Sequence, residues 1–252
     1  MFDMKDKNTR RWLGSLVGSL VKLTPSLRKA ESLKKNGTWD DYKPFVDRCP
    51  YDWLNPLMES AGVTYEVRGK ENIPLDEPVI YTPNHAGLFD FPAMILNTPK
   101  PTTFMSKIEA KKLPLIGKWM WVMDCCFVDR KNKSQAHSTL HEAIEMVKAG
   151  RSITIYPEGT RSKDGNIGPF KGGAMKIAME TGAKVVPVML DGTRDRLDQT
   201  GRLTPGVVYV TFLPAIETKG LTKDDFYAMP EQIRQMIDDE RTKERAERAQ
   251  AQ

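Results

Sequence analysis

The apolar positions follow one rhythm near the start of the chain and another further on. Leu13, Leu16, Val17 and Leu20 recur at i, i+3, i+4 and i+7, the spacing of one helix face, with Trp12 beside the stripe. Arg10, Arg11, Lys22, Arg28, Lys29, Lys34 and Lys35 surround it, so residues 1–35 read as a basic amphipathic segment. Such a face suits the headgroup region of an anionic membrane, and Trp12, Leu13, Leu16, Val17 and Leu20 are then the contact residues. The same face packed on the protein's own core is the competing reading. Gly14 and Gly18 with Ser15 and Ser19 form a small-residue face that lets another helix approach. Residues 36–60, rich in Pro, Trp and Tyr, read as irregular or short-helical chain covering something apolar.

From residue 63 the period changes. Residues 63–67 alternate as a strand does, and residues 78–82 form a second strand. Pro92 opens a helical stretch through Asn97, and residues 125–129 are extended. Residues 134–148 are helical and stop at Gly150, while 152–156 are extended. A helix over 173–181 closes at Gly182, and strands follow at 185–190 and 207–213. Strands alternating with helices predict an α/β fold: a mostly parallel or mixed central sheet flanked by helices, with an N-terminal amphipathic helical extension. The expected divisions are a membrane-contact region (1–60), a catalytic domain (61–225) and a charged C-terminal helix, solvated or frayed (226–252).

Composition narrows the class. The chain has 252 residues, a formal charge of +5 and 40% hydrophobic residues, which fits a globular protein with a mild preference for anionic partners. Its three cysteines are an odd count with Cys125 and Cys126 adjacent, which argues against a disulfide framework and for a reducing compartment. No apolar run reaches the roughly 18 residues that a bilayer span requires.

The candidate chemistry lies at the ends of strands. His85 and Asp90 stand five residues apart in the run from Asn84 to Asp90, directly after the second strand. On one regular helix that spacing turns them about 140° apart. They meet only if His85 sits in the loop leaving the strand and Asp90 at the start of the next helix, an arrangement that Pro83, Gly87 and Pro92 favour. A histidine oriented by a carboxylate is a general base, but no G-x-S-x-G elbow and no Cys-His signature accompanies it, so the nucleophile is expected from the substrate. The alternative is that Asp90 caps the following helix and His85 is an ordinary loop residue. After the 152–156 strand, Glu158-Gly159-Thr160-Arg161 places an arginine fork where a phosphate can be held, with Glu158 available to hold that arginine or a substrate hydroxyl. His137 and His141 have a chelating i, i+4 spacing, but no third ligand is evident and no metal is expected. The glycine-rich run 165–173 lacks phosphate-loop spacing, so nucleotide binding is rejected; nucleic acid is likewise not among the expected partners.

Four blocks in this order resemble the lysophosphatidate acyltransferase (1-acylglycerol-3-phosphate O-acyltransferase) family. They are Asn84 to Asp90 (N-H-x-x-x-x-D), Cys126 to Arg130, Tyr156 to Ser162 (F-P-E-G-T-R-S, with Tyr for Phe) and Val185 to Val188. Smaller matches lie at 69–74, 106–109 and 170–174, and the resemblance covers about residues 63–215. Gly87 departs from the serine common in the family. The resemblance implies a glycerolipid acyltransferase-like fold. It also implies transfer of an acyl group from acyl-CoA or acyl-carrier protein to the hydroxyl of lysophosphatidate, with no cofactor. His85 and Asp90 become catalytic, Arg161 and Arg130 bind the acceptor phosphate with Lys107 as a third cation, and Asn84, Glu158, Gly159 and Thr160 position substrate. Backbone N–H groups near Gly87 or Lys107 are the oxyanion candidates. The expected location is the cytoplasmic face of a membrane, peripheral or monotopic, with an anionic lipid surface and acyl-carrier protein as candidate partners. Competing readings are acyl transfer to another lysolipid or a glycan, and a non-catalytic membrane-surface protein.

Overall fold

The computed structural model describes residues 2–251. Three helices come first: α1 (Lys7–Lys22), α2 (Thr24–Asn36) and α3 (Trp39–Ser60). There follow β1 (Val63–Arg68), β2 (Val79–Pro83), α4 (Asp90–Asn97), β3 (Thr102–Lys107), α5 (Ile116–Val122), β4 (Cys126–Val128), α6 (Lys133–Lys148), β5 (Ser152–Thr154), α7 (Gly173–Thr181), β6 (Lys184–Asp191), β7 (Gly206–Phe212) and α8 (Lys223–Gln250). The seven strands form one sheet in the order β1-β7-β6-β2-β5-β3-β4, parallel throughout except for the antiparallel β6–β7 pair. The α/β class and mixed sheet are those expected. Both faces are covered: α1–α5 share one buried core with the sheet, and α6, α7 and α8 enclose a second.

Three readings of the chain change. The segment 36–60 is not irregular. It is one 22-residue helix carrying Pro44, Pro50 and Pro56 in its interior. The Thr38–Asp41 capping box starts it, and its buried Val46, Pro50, Leu54, Leu57 and Met58 repeat at helical spacing, so burial outweighs the missing amide donors. The α1 stripe faces inward. Trp12 and Leu20 are 4% and 6% exposed, Leu13 and Leu16 are half-buried against the core, and Trp12 stacks on Phe89 with its indole N–H donating to the Leu57 carbonyl at 3.2 Å. Of the five residues expected to touch a membrane only Val17 is exposed, together with Val21 one turn on. The C-terminal segment is packed rather than solvated: α8 buries Phe226, Met229, Ile233 and Ile237 in the second core.

Polar ties complete the docking. Asp124 pairs with Lys34 of α2 and Arg151, accepts from the Tyr42 hydroxyl of α3 at 3.0 Å, and so joins the N-terminal helices to the end of α5. At the other edge, Asp191 at the end of β6 accepts from Arg245 (2.6 and 3.0 Å) and pairs with Arg248, both on α8.

Candidate active site

β2, β5, β3 and β4 are neighbours and parallel, so their carboxyl ends lie along one edge of the sheet, the usual ligand edge of such folds. His85 follows β2, Glu158 to Arg161 follow β5, Lys107 ends β3, and Arg130 lies just beyond β4. The sheet thus gathers residues that the sequence separates by up to 76 positions.

The His85–Asp90 pair forms. Nδ1 of His85 lies 2.6 Å from Oδ2 of Asp90, and that oxygen also accepts from the Ala86 and Gly87 amides at 2.7 and 3.0 Å. Asp90 is fully buried in the first turn of α4, while His85 is 24% exposed. Asp90 makes no helix-capping bond, since Phe89 is the N-cap, so its carboxylate serves the histidine loop. A carboxylate oxygen only accepts, so it fixes the proton on Nδ1 and leaves Nε2 as the basic nitrogen. The imidazole stacks on Tyr156 at 4.2 Å, which restricts its remaining freedom.

Glu158 plays a different part from the one expected. Its two oxygens accept from the His85 amide (2.7 Å) and the Gly168 amide (2.9 Å), so it braces two loops and does not pair with Arg161. Burial pushes its carboxyl above the usual range, although both amides oppose this. Asn84 is also structural. Its side chain exchanges two hydrogen bonds with the backbone of Leu190 at 2.8 and 2.9 Å, clamping the end of β2 to β6. Thr160 is exposed and no hydrogen bond of its side chain is seen among the described residues.

Four successive amides of the histidine loop are engaged. His85 donates to Glu158, Ala86 and Gly87 to Asp90, and Leu88 to Asp198 at 2.6 Å. The Gly87 amide is therefore not free to bind an oxyanion in this conformation. Gly87 itself is explained by crowding, because a Cβ there would stand 2.8 Å from the Thr193 carbonyl oxygen.

The cations converge in part. Arg130 and Lys171 meet over Gly159, where a Cβ would lie 2.9 Å from the Lys171 amine and 3.7 Å from the Arg130 guanidinium. Gly159 has φ +73°, a left-handed conformation that favours glycine. Arg161 pairs with Asp198. Lys107 is exposed at the end of β3. Lys171 was not identified as a site residue from sequence; its place in the 170–174 block was the available signal.

Beside the histidine loop an apolar cavity of about 410 Å³ opens between the sheet domain and the N-terminal helices. Leu88, Phe89 and Phe91 form the side that adjoins the histidine loop, and Trp12, Trp53, Met58 and Trp119 belong to its remaining wall. Its contacts are almost wholly hydrocarbon, so it fits an alkyl chain. No group of three His, Cys, Asp or Glu suited to a metal occurs among the described residues.

Comparison with known proteins agrees with this geometry. The model of a family described as Acyltransferase matches residues 64–191. A chloroplastic 1-acyl-sn-glycerol-3-phosphate acyltransferase of Brassica napus is 40% identical over 129 residues, 51% of this chain and 37% of that protein. The 1-acyl-sn-glycerol-3-phosphate acyltransferase of Borreliella burgdorferi is 32% identical over 178 residues, 70% of this chain and 71% of that one. The chain spans little more than a third of the Brassica relative's length. The crystal structure of the 1-acyl-sn-glycerophosphate acyltransferase PlsC from Thermotoga maritima superposes with a TM-score of 0.72 at 25% identity, covering 93% of this chain and 98% of that one. With its sheet edge, its His85–Asp90 pair and these matches, the chain belongs to the acyltransferase family that includes the 1-acyl-sn-glycerol-3-phosphate acyltransferases.

Proposed function

We propose that this protein transfers a fatty acyl group from an acyl thioester to the free hydroxyl of lysophosphatidate, giving phosphatidate. The observation that carries the reading is the His85–Asp90 pair with Nε2 left free, set beside an alkyl-sized cavity on one side and the Arg130–Lys171 cations on the other. Nε2 takes the hydroxyl proton as the oxygen attacks the thioester carbonyl. Asp90 stabilises the imidazolium that results. A C–O bond forms, the tetrahedral intermediate collapses with loss of the C–S bond, and His85 returns the proton to the departing thiolate. The acceptor nucleophile replaces a protein one, so no acyl-enzyme is formed.

The phosphate monoester of lysophosphatidate carries about −1.5 to −2 charges. Arg130, Lys171, Arg161 and Lys107 lie at the carboxyl edge of the sheet, where such a charge would be held. The acyl chain occupies the apolar cavity. The donor is either acyl-CoA or acyl-carrier protein, and both belong in the assay. Membrane contact is assigned to Val17 and Val21 and to the cavity rim, where Phe2, Leu88 and Leu113 are both exposed and cavity-lining, near the basic Lys111 and Lys112.

The test is a purified assay with lysophosphatidate and each donor, following phosphatidate by mass spectrometry, for the wild type and His85→Ala. Phosphatidate is expected from the wild type, with a fall of at least about 10²-fold in the variant. Wild-type turnover in His85→Ala would overturn the catalytic assignment. Val21→Glu is expected to weaken sedimentation with anionic vesicles and leave the fold intact.

A further inference from the structure

Arg161 does not stand free. It ion-pairs through Nη1 with Oδ1 of Asp198, and the other oxygen of Asp198 accepts the Leu88 amide at 2.6 Å. Asp198 belongs to the 192–203 loop that lies against the histidine loop, where Gly87 faces the backbone of Thr193 and Arg194. The two loops on either side of Arg161 are also joined directly, since the Ser162 amide donates to the His85 carbonyl at 2.8 Å. Arg161 is about half exposed and Asp198 one-fifth exposed. A pair so exposed contributes little to stability, so its value must be sought elsewhere.

We propose that Asp198 is a positioning residue, holding the Arg161 guanidinium for the acceptor's phosphate and tying it to the loop that carries His85. This rests on the reading of Arg161 as a phosphate ligand. A guanidinium offers five N–H donors, and Asp198 engages one nitrogen, leaving the rest of the fork for a phosphate. An untethered arginine would lose rotamer freedom on binding, and the ion pair removes much of that loss beforehand. Repulsion between Asp198 and the phosphate is limited, because each carboxylate oxygen already faces a donor. Through Leu88, which lines the cavity, the same carboxylate joins phosphate recognition to the mouth of the acyl site.

The experiment measures kcat and the KM of each substrate for Asp198→Ala, Asp198→Asn, Arg161→Ala and the double variant Arg161→Ala/Asp198→Ala. Asp198→Ala is expected to raise the KM for lysophosphatidate about tenfold, the worth of one charge-assisted hydrogen bond, without changing the KM for the donor. Asn can still accept from Leu88, so Asp198→Asn is expected to keep kcat near the wild-type value and to give a smaller rise in acceptor KM, about threefold. In the Arg161→Ala background, loss of Asp198 should add nothing to the acceptor KM. An unchanged or lowered acceptor KM in Asp198→Asn overturns the proposal, a lowered value meaning that the carboxylate competes with the phosphate. If Arg161→Ala leaves the acceptor KM unmoved, the phosphate reading of Arg161 fails and takes the proposal with it. That result is distinct from one in which Arg161→Ala raises KM and Asp198→Ala does not.

Discussion

Asp90→Asn separates the charge of the orienting group from its geometry. Oδ2 of Asp90 is surrounded by three N–H groups, from His85, Ala86 and Gly87, whereas Oδ1 is buried with no partner. An asparagine amide nitrogen in the Oδ2 position would face those donors. The side chain therefore places its carbonyl oxygen there and its NH2 in the Oδ1 position. The Nδ1 proton stays where it was, and Nε2 stays the free nitrogen. What disappears is the negative charge beside the imidazolium. At an effective dielectric near 20, two unit charges about 4 Å apart interact by ~4 kcal/mol. With proton transfer incomplete at the transition state, about 3–4 kcal/mol is lost, or roughly 10²- to 10³-fold in kcat. Stability should change little, because an unpartnered buried oxygen is exchanged for an unpartnered buried NH2 and a buried charge is relieved. The assay is steady-state turnover across pH with both substrates varied, backed by thermal unfolding. The expected result is a large fall in kcat with near-constant KM values. Turnover within about threefold of wild type would refute the idea that His85 carries positive charge in the transition state.

Three further outcomes follow from the packing. Gly87→Ser places a Cβ 2.8–3.0 Å from the Thr193–Arg194 backbone, so the 192–203 loop must move; a loss of about 1–3 kcal/mol is expected, and an unchanged Tm would sink the crowding argument. Ala110→Phe fills part of the apolar cavity, and each acyl methylene it displaces should cost ~0.8 kcal/mol, about fourfold in kcat/KM, selectively for long-chain donors; an equal loss for short and long chains would mean that the chain lies elsewhere. Burial alone would raise the Asp191 carboxyl, but Arg245 and Arg248 outweigh it and hold the group below its ordinary 3.8, so its stabilisation of the α8 clamp is complete above about pH 4 and lost as pH falls through the lower folded value. The Tm gap between wild type and Asp191→Asn should accordingly shrink below pH 4, and a constant gap would contradict the clamp.

Much of the catalytic domain is legible in the sequence because its strands and helices carry their own periods. Strands β1, β2, β6 and β7 lie within a residue or so of the apolar runs that announce them. β3 is missed because its buried Thr102 and Thr103 look polar; in the fold Thr102 bonds to Thr154 across the sheet at 3.0 Å, and Thr103 donates to the Asp124 carbonyl at 2.7 Å. α5 escapes notice because seven residues are too few to show a helical period, and it starts from Leu115 at φ +60°. The inward turn of α1 is invisible for another reason: an amphipathic stripe records that a face is apolar, not whether lipid or protein covers it. The His-Asp pair could be read from a strand, a loop and a helix start in succession. The roles of Asn84 and Glu158 could not, since both depend on backbone groups ten to 106 residues away. Lys171 and Asp198 reach the site by the same kind of distant closure.

The central claim is that the substrate's hydroxyl is the nucleophile and His85 its base. It is tested most directly by mixing enzyme and acyl thioester without acceptor, then recording thiol release and the intact mass within the first turnover. Cys49 lines the cavity, and its thiol is held above the usual range by burial, as are those of Cys125 and Cys126, so none is primed to attack a thioester. The account predicts no stoichiometric thiol burst and no acyl adduct until lysophosphatidate is added, with turnover then lost in His85→Ala. A burst of one thiol per enzyme, with an acyl mass shift on the protein, would contradict it.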